Sequence, residues 1–348
     1  MSEATTAQGP LISIGIPTYN RPKGLLRTLR CMLAQTYKNI EIIVSDNSTP
    51  GPGVDSVLKM FAPTDRRIRF YRQTNNIGPT ENFKFVLSKA GGAYFMWAAD
   101  DDEWEPEFIE RCLSLAVLSG GSGMTGFATF FRVSGTKHNN PLPALSHLNS
   151  KFKNSCEYLN LMQPSLFYGL HRREDVMFFL NESTFHFFDC YFILRIIINS
   201  GFSVIEDQLY LAGVDSDEYT IKHGSSQISK QFLNYFDFYI YSIFLVIFAN
   251  GISFSEKLKL ILLIDKTVLA LITHHEKSKQ PRAFLLMNSI KVLWQKLGRY
   301  ASKKPTFTSS KESGAIDSRL DEPCGVISYA QSGEDSIVEF AMKAMGIE

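Results

Sequence analysis

Along the first half of the chain, short solid apolar runs alternate with apolar positions at helical spacing. Leu11–Ile16 predicts a strand that ends in the breaker-rich Pro17-Thr-Tyr-Asn-Arg-Pro22. Leu25, Leu26, Leu29, Met32 and Leu33 then recur at the period of a helix. Ile40–Val44 predicts a second strand, Val54–Phe61 a helix and Ile68–Arg72 a third strand. Glu81–Lys89 predicts a helix closed by Gly91 and Gly92, and Tyr94–Trp97 a buried strand. Further on, Thr125–Val133 and Val204–Ala212 read as strands, Lys153–Leu161 as a helix and His138–Ser150 as a loop. Tyr191–Ile198 is apolar at nearly every position and fits a buried helix or a buried strand equally.

Strands that alternate with helices predict an α/β fold with a Rossmann-like, mostly parallel central sheet flanked by helices. In such a sheet the loops after the strands share one edge, and ligands bind there at a topological switch point. Three polar loops follow strands, at Tyr19–Arg21, Asp46–Asn47 and Asp100–Asp102, so all three should converge on one crevice.

After about Ser226 the pattern changes. Phe232–Phe248 is strongly apolar and aromatic, and Ser253-Phe-Ser-Glu256 has the form of a capping box that opens a second helix, Lys257–His274. Residues 277–304 hold eight Lys or Arg and no acid, interleaved with Phe284, Leu285, Leu293, Trp294 and Leu297. A basic amphipathic segment of this kind fits a membrane surface, or a helix packed on the domain with a solvated basic face. Residues 303–321 are polar and linker-like. The expected organisation is therefore an α/β domain over 1–225, a helical, membrane- or partner-associating region over 226–302, and a linker with the start of a further domain over 303–348.

Composition narrows the classes. Lys+Arg 36 against Asp+Glu 35 leaves a net charge of +1, so no global field favours nucleic acid. Cys31, Cys112, Cys156, Cys190 and Cys324 are widely spaced and form no CxxC pair, which fits reduced thiols rather than a disulfide framework or a zinc site. Met1–Pro10 has no apolar signal core, and the longest apolar run, Phe238–Ala249, falls well short of the ~20 residues that span a bilayer. The expected location is cytoplasmic, with peripheral contact to the inner face of the cell membrane.

The stretch with the most chemistry is Tyr94-Phe-Met-Trp-Ala-Ala-Asp-Asp-Asp-Glu-Trp-Glu-Pro106. Three adjacent carboxylates at a strand end repel one another. A divalent cation relieves that repulsion, and Mg²⁺ is usually held by one or two carboxylates together with a substrate's phosphates. The triplet therefore points to a metal–nucleotide-diphosphate complex.

With these residues in view, the chain resembles a family 2 glycosyltransferase of the GT-A fold over roughly residues 11–224. The resemblance rests on Ile14-Gly-Ile-Pro-Thr-Tyr-Asn-Arg21, Gln35-Thr-Tyr-Lys-Asn-Ile-Glu-Ile-Ile-Val-Ser-Asp-Asn47, Asn76-Ile-Gly78 with Asn82, and Ala99-Asp-Asp-Asp-Glu-Trp-Glu-Pro106. It implies transfer of a sugar, with inversion, from a UDP- or dTDP-type donor to a polysaccharide or lipid-linked glycan acceptor, assisted by Mg²⁺ or Mn²⁺. It also implies roles. Pro17, Tyr19, Asn20 and Arg21 would line the nucleotide pocket, with Asn47, Asn76, Gly78 and Asn82 beside them, and Asp46 would accept a hydrogen bond from the base. Ala99 stands where the family often has its first Asp. Asp101 then becomes the first metal ligand and Asp102 the second, while Asp100 would touch the ribose. Asp189, ahead of an apolar helix, matches the general base, and His223 would lie near the diphosphate and metal. The tail, Ile327-Ser-Tyr-Ala-Gln-Ser-Gly-Glu-Asp-Ser-Ile337, resembles the opening of an FkbM-type methyltransferase domain, truncated before any cofactor loop.

Plainer roles exist for several of these residues. Asp46 could cap a helix, Asn20 and Asn82 could satisfy local backbone, and Asp189 could cap or pair with an arginine. Two other functions fit the same architecture: a non-catalytic docking module of a polysaccharide-synthesis complex, and a nucleotidyltransferase. The second needs a glycine-rich basic phosphate loop near the N-terminus, and Pro17–Pro22 is not glycine-rich.

Overall fold

A computed structural model describes residues 9–61, 65–131, 136–185, 187–213 and 228–275 of the 348. Met1–Ile272 form one compact unit and Thr273–Glu348 a second. His223, the basic segment 277–304 and the tail 303–348 lie outside the described residues.

The first half forms as the pattern predicts: β1 (Ile12–Thr18), α1 (Pro22–Leu33), β2 (Ile40–Asp46), α2 (Gly53–Phe61), β3 (Ile68–Arg72), α3 (Pro79–Ser88) and β4 (Tyr94–Trp97). Then come β5 (Glu103–Trp104), α4 (Phe108–Ser119), β6 (Ser122–Phe131), β7 (Thr136–Asn139), α5 (Lys151–Asn160), β8 (Leu170–Arg172), α6 (Arg173–Val176), α7 (Phe188–Asn199) and β9 (Phe202–Ala212). Two more helices, Ile228–Ile247 and Phe254–His275, end the described chain. The capping box forms: Ser253 N–H donates to Glu256 Oε2 at 2.9 Å, and Glu256 N–H to Ser253 Oγ at 3.4 Å. No described helix is long and apolar enough to cross a membrane.

The sheet runs β3-β2-β1-β4-β8-β6-β9-β5, with β7 paired to β6. β3, β2, β1 and β4 are parallel, as expected. Beyond β4 the expectation of a mostly parallel sheet needs correction. β8 is antiparallel to both β4 and β6, β9 is parallel to β6, and β5 is antiparallel to β9. The cause is that β5 and β8 span two and three residues and join the sheet from loops, without a helical crossover. β7 was not expected either and overlaps the start of the expected loop at His138 and Asn139, because Thr136-Lys-His-Asn139 carries no apolar period.

Burial explains the patterns. Every residue of β1 is buried, as a parallel strand covered on both faces requires. β3 exposes Arg69 and Arg72 and forms the charged edge. The ambiguous run becomes the helix α7, with nine residues buried on all sides, so no stripe marked it as helical.

Beneath the sheet's central strands lies an aromatic core around Trp97. Its indole stacks on Phe167 at 4.4 Å and meets Phe95, Phe179 and Phe192 edge-on, while Nε1–H donates to Phe83 O at 3.0 Å. His171 is buried beside it. Its Nε2–H donates to Phe167 O at 3.0 Å, since a carbonyl only accepts, so Nδ1 accepts from Ser122 Oγ at 2.8 Å. Burial pushes the imidazole down to about 4. An unfolded histidine titrates near 6.5, so the neutral ring favours the fold fully above that pH. The contribution is lost as pH falls from about 6.5 towards 4. The stability advantage of the wild type over His171→Gln is therefore expected to shrink by about 3 kcal/mol across that window, measured by denaturant unfolding. A pH-independent difference would contradict this assignment.

Candidate active site

The chain runs from β1 outward to β2 and β3, then returns to place β4 on the other side of β1. The switch point therefore lies between the ends of β1 and β4. There Thr18 Oγ1 donates to Asp100 Oδ2 at 2.6 Å and ties the two strand ends together. Helix α1 packs onto the same point. Thr28 Oγ1 donates to Ala99 O at 3.1 Å, and a Cβ at Gly24 would stand 1.9 Å from Asp100 O, so only glycine lets the helix approach. Gln35 fastens the far side of the acidic loop: Nε2 donates to Glu105 O at 2.9 Å and Oε1 accepts from Ile109 N–H at 3.0 Å.

The three carboxylates have different surroundings. Asp100 is buried and also faces Arg21 Nη1 at 3.4 Å. Burial raises its carboxyl to about 6 against the pull of Thr18 and Arg21, and the charge of Asp101 adds to the rise. Asp101 is more open, and its Oδ2 meets Arg21 Nη1 at 2.9 Å. Asp102 is buried: Oδ2 accepts from Tyr210 O–H at 2.5 Å and Oδ1 from Gly213 N–H at 2.7 Å. Burial, then the charge of Asp101, pushes Asp102 up to about 7. The triplet is thus crowded with negative charge, and Asp102 anchors the end of β9 to it.

Asp46 closes β2 in register with Thr18 of β1. Its carboxylate is fully buried. Oδ1 accepts from Thr49 N–H at 3.1 Å and from the Thr49 hydroxyl, while Oδ2 has no hydrogen bond and faces Arg72 Nε at 3.5 Å. Arg72 is held in turn by Asp55 at 2.8 Å and by Thr49 O at 2.6 Å. Pro17 is buried within β1, Tyr19 is exposed, and Asn20 adopts a left-handed φ of 55° with its N–H on Thr49 Oγ1 at 2.8 Å.

Asn47 and Asn82 are buried, while Asn76 lies at the surface. Asn47 Nδ2 donates to Asn76 Oδ1 at 2.9 Å and Gly78 O at 3.2 Å, and its Oδ1 accepts from Ile77 N–H at 2.9 Å. Asn76 Oδ1 also accepts from Gly78 N–H at 2.9 Å, and Gly78 turns with φ 84° into α3. Asn82 Oδ1 accepts from Ser45 Oγ at 2.6 Å, and its Nδ2 donates to Ser45 O at 3.0 Å. These side chains spend their polar atoms on fixing the crevice wall.

Asp189 stands in the first turn of α7, which Phe187 enters at a left-handed φ of 63°. Asp189 Oδ1 accepts from Cys190 N–H at 2.8 Å. Burial first, then the charges of Asp102, Asp101, Asp189 and Asp100, hold the Tyr168 phenol well above its ordinary value. Sequence reasoning missed Thr18, Thr49, Arg72, Tyr168, Tyr210 and Gly213. Thr18 was within a quoted motif, and its place at the end of β1 was the available signal. Tyr210 and Gly213 carry none.

Strand order and the Thr18–Asp100 tie set the strand-end carboxylates at the switch point of a GT-A fold. Residues 13–179 match the family model described as Glycosyl transferase family 2. Among relatives, the Escherichia coli K12 protein WcaA, named for colanic acid biosynthesis and glycosyl transfer, is 27% identical over 66% of this chain and 80% of its own. Glycosyltransferase GlyG of Streptococcus pneumoniae is 37% identical over 29% of this chain and 33% of its own. An uncharacterized glycosyltransferase of Rickettsia typhi is 33% identical over 30% and 32%. The chain thus spans about a third of the length of these last two relatives. The crystal structure of Staphylococcus aureus TarS 1-349 in complex with UDP-GlcNAc superposes with a TM-score of 0.60 at 16% identity, covering 82% of this chain and 80% of that one.

Proposed function

We propose that the chain is an inverting glycosyltransferase that moves a sugar from a uridine- or thymidine-diphosphate donor to a hydroxyl of a polysaccharide or lipid-linked glycan. The observation that carries this reading is Asp46 Oδ2, a buried carboxylate oxygen without a hydrogen bond at the crevice between the strand ends. A buried acceptor without a donor is costly, and the N3–H of uracil or thymine is a donor of the right kind. The match to TarS, solved with UDP-GlcNAc, supports a uridine donor, and the name of WcaA supports a polysaccharide acceptor. A docking module would have no use for a buried Asp46 oxygen that lacks a hydrogen bond.

The residues present fit a divalent cation. Among the described residues no group of three or more His, Cys, Asp or Glu would hold a metal unaided. Mg²⁺ needs only one or two carboxylates when phosphates supply the rest. Asp101 is open to the crevice, and Asp102 adds negative charge behind it. When bound, Mg²⁺ or Mn²⁺ would stabilise the charge that grows on the departing diphosphate. The chain's own residues do the rest. Asp46 orients the base, and Asn47 and Asn82 keep the wall rigid. Asp189 accepts the proton of the acceptor hydroxyl from across the crevice.

A thermal-shift titration tests this. UDP-GlcNAc with Mn²⁺ is expected to raise Tm, since ligand at 100 times Kd stabilises by about 2.7 kcal/mol. Absence of a shift with uridine, thymidine and guanosine diphosphates alike would overturn the reading.

A further inference from the structure

Arg21 places a guanidinium against two carboxylates of the triplet. Its Nη1 lies 2.9 Å from Asp101 Oδ2 and 3.4 Å from Asp100 Oδ1. The backbone beneath it is fixed. Arg21 O accepts from Leu25 N–H at 2.9 Å, Asn20 N–H is held by Thr49, and Gly24 lies against Asp100 O. The side chain keeps 26% of its surface open, so it can leave Asp101 while its backbone stays in place.

Three adjacent carboxylates in one loop need a positive partner when no ligand is bound. A divalent cation on Asp101 would share that carboxylate with the guanidinium at close range, and like charges at such a distance repel strongly. A diphosphate arriving with the cation offers the guanidinium new oxygens in the planar, two-pronged geometry that arginine favours.

We propose that Arg21 is a built-in counter-ion: it neutralises Asp100 and Asp101 in the free protein and is displaced from Asp101 onto the diphosphate when the cation and nucleotide enter. This rests on the nucleotide-sugar reading above and adds to it an ordered exchange of cations. No covalent bond changes in the exchange. The same residue then sets two affinities in opposite directions. It weakens the cation alone and strengthens the cation with nucleotide.

The test is a titration of Mn²⁺ into the full chain, with free Mn²⁺ read from its electron paramagnetic resonance signal, in the presence and absence of UDP. Arg21→Met is expected to bind Mn²⁺ alone roughly tenfold tighter than wild type, or more. It is expected to lose most of that advantage when UDP is present. Arg21→Lys, which keeps the charge, should bind Mn²⁺ alone much as wild type does. If Arg21→Met does not fold, Arg21→Gln gives the same readout while keeping a donor for Asp100. Equal or weaker Mn²⁺ binding by the neutral variants would reduce Arg21 to a structural prop and overturn the proposal. Absence of Mn²⁺ uptake by every protein while UDP still raises Tm would remove the cation, and this proposal with it, but leave the nucleotide reading standing. Absence of any UDP effect would remove the nucleotide reading itself.

Discussion

Asp189→Asn is expected to lower kcat by about 10²–10⁴-fold while leaving UDP affinity within about twofold of wild type. Inversion requires a base that takes the acceptor proton on the face opposite the leaving diphosphate, and Asp189 is a carboxylate outside the triplet at the start of α7. The substitution keeps the side chain's shape and the acceptor oxygen that caps Cys190 N–H, so α7 should form as before. Its place in the first turn of α7 also favours a charged side chain there. A purely capping Asp189 predicts a different outcome: a small loss of stability and unchanged turnover. Parallel measurement of turnover and Tm separates the two roles, and retained turnover would remove Asp189 from the mechanism.

Asp101→Asn is expected to cost about 10³-fold in turnover and to abolish the Mn²⁺ dependence of UDP binding, because charge stabilisation by a metal amounts to several kcal/mol. Asp101 is the clean position for this experiment. Its contact among the described residues is Arg21, and Arg21 keeps Asp100 when Asp101 becomes an amide. Asp102→Asn would confuse the answer, since Asp102 holds both the Tyr210 hydroxyl and Gly213 N–H at the end of β9. Measuring UDP affinity with and without Mn²⁺ in the Asp101 variant checks the prediction. A variant that still gains affinity from Mn²⁺ would show that Asp101 is not the ligand.

The two experiments depend on features that were unequally legible in the sequence. β1 to β4 and their helices could be read because each is long enough to show a period and is bounded by Pro, Gly or charge. The convergence of the loops at Tyr19–Arg21, Asp46–Asn47 and Asp100–Asp102 followed from that alternation alone. β5, β7 and β8 were hidden because two to four residues carry no period, and their pairing is decided by distant partners such as Tyr210 and Leu211. α7 was left open because burial on all sides erases the stripe that separates helix from strand.

At the site, residue type was legible and orientation was not. Asn47 and Asn82 sit in the quoted motifs, yet their amides turn into the protein and meet Asn76, Gly78 and Ser45. The sequence placed Asp101 and Asp102 side by side but did not show that Asp102 is tied to β9 or that Asp101 is paired with Arg21. Those differences arise from partners more than 70 residues away, which no local pattern announces. The sequence also gave no sign that Arg21, grouped with the nucleotide-binding loop, would reach the triplet.

The central claim is that a nucleotide base docks against Asp46 Oδ2, the buried oxygen without a hydrogen bond. Isothermal calorimetry of UDP in the presence of Mn²⁺, with wild type and Asp46→Ala side by side, tests it most directly. A hydrogen bond to a charged group contributes about 1.5–3 kcal/mol, so the variant is expected to bind UDP roughly 10- to 100-fold more weakly while remaining folded. Equal UDP affinity in the two proteins would contradict the account.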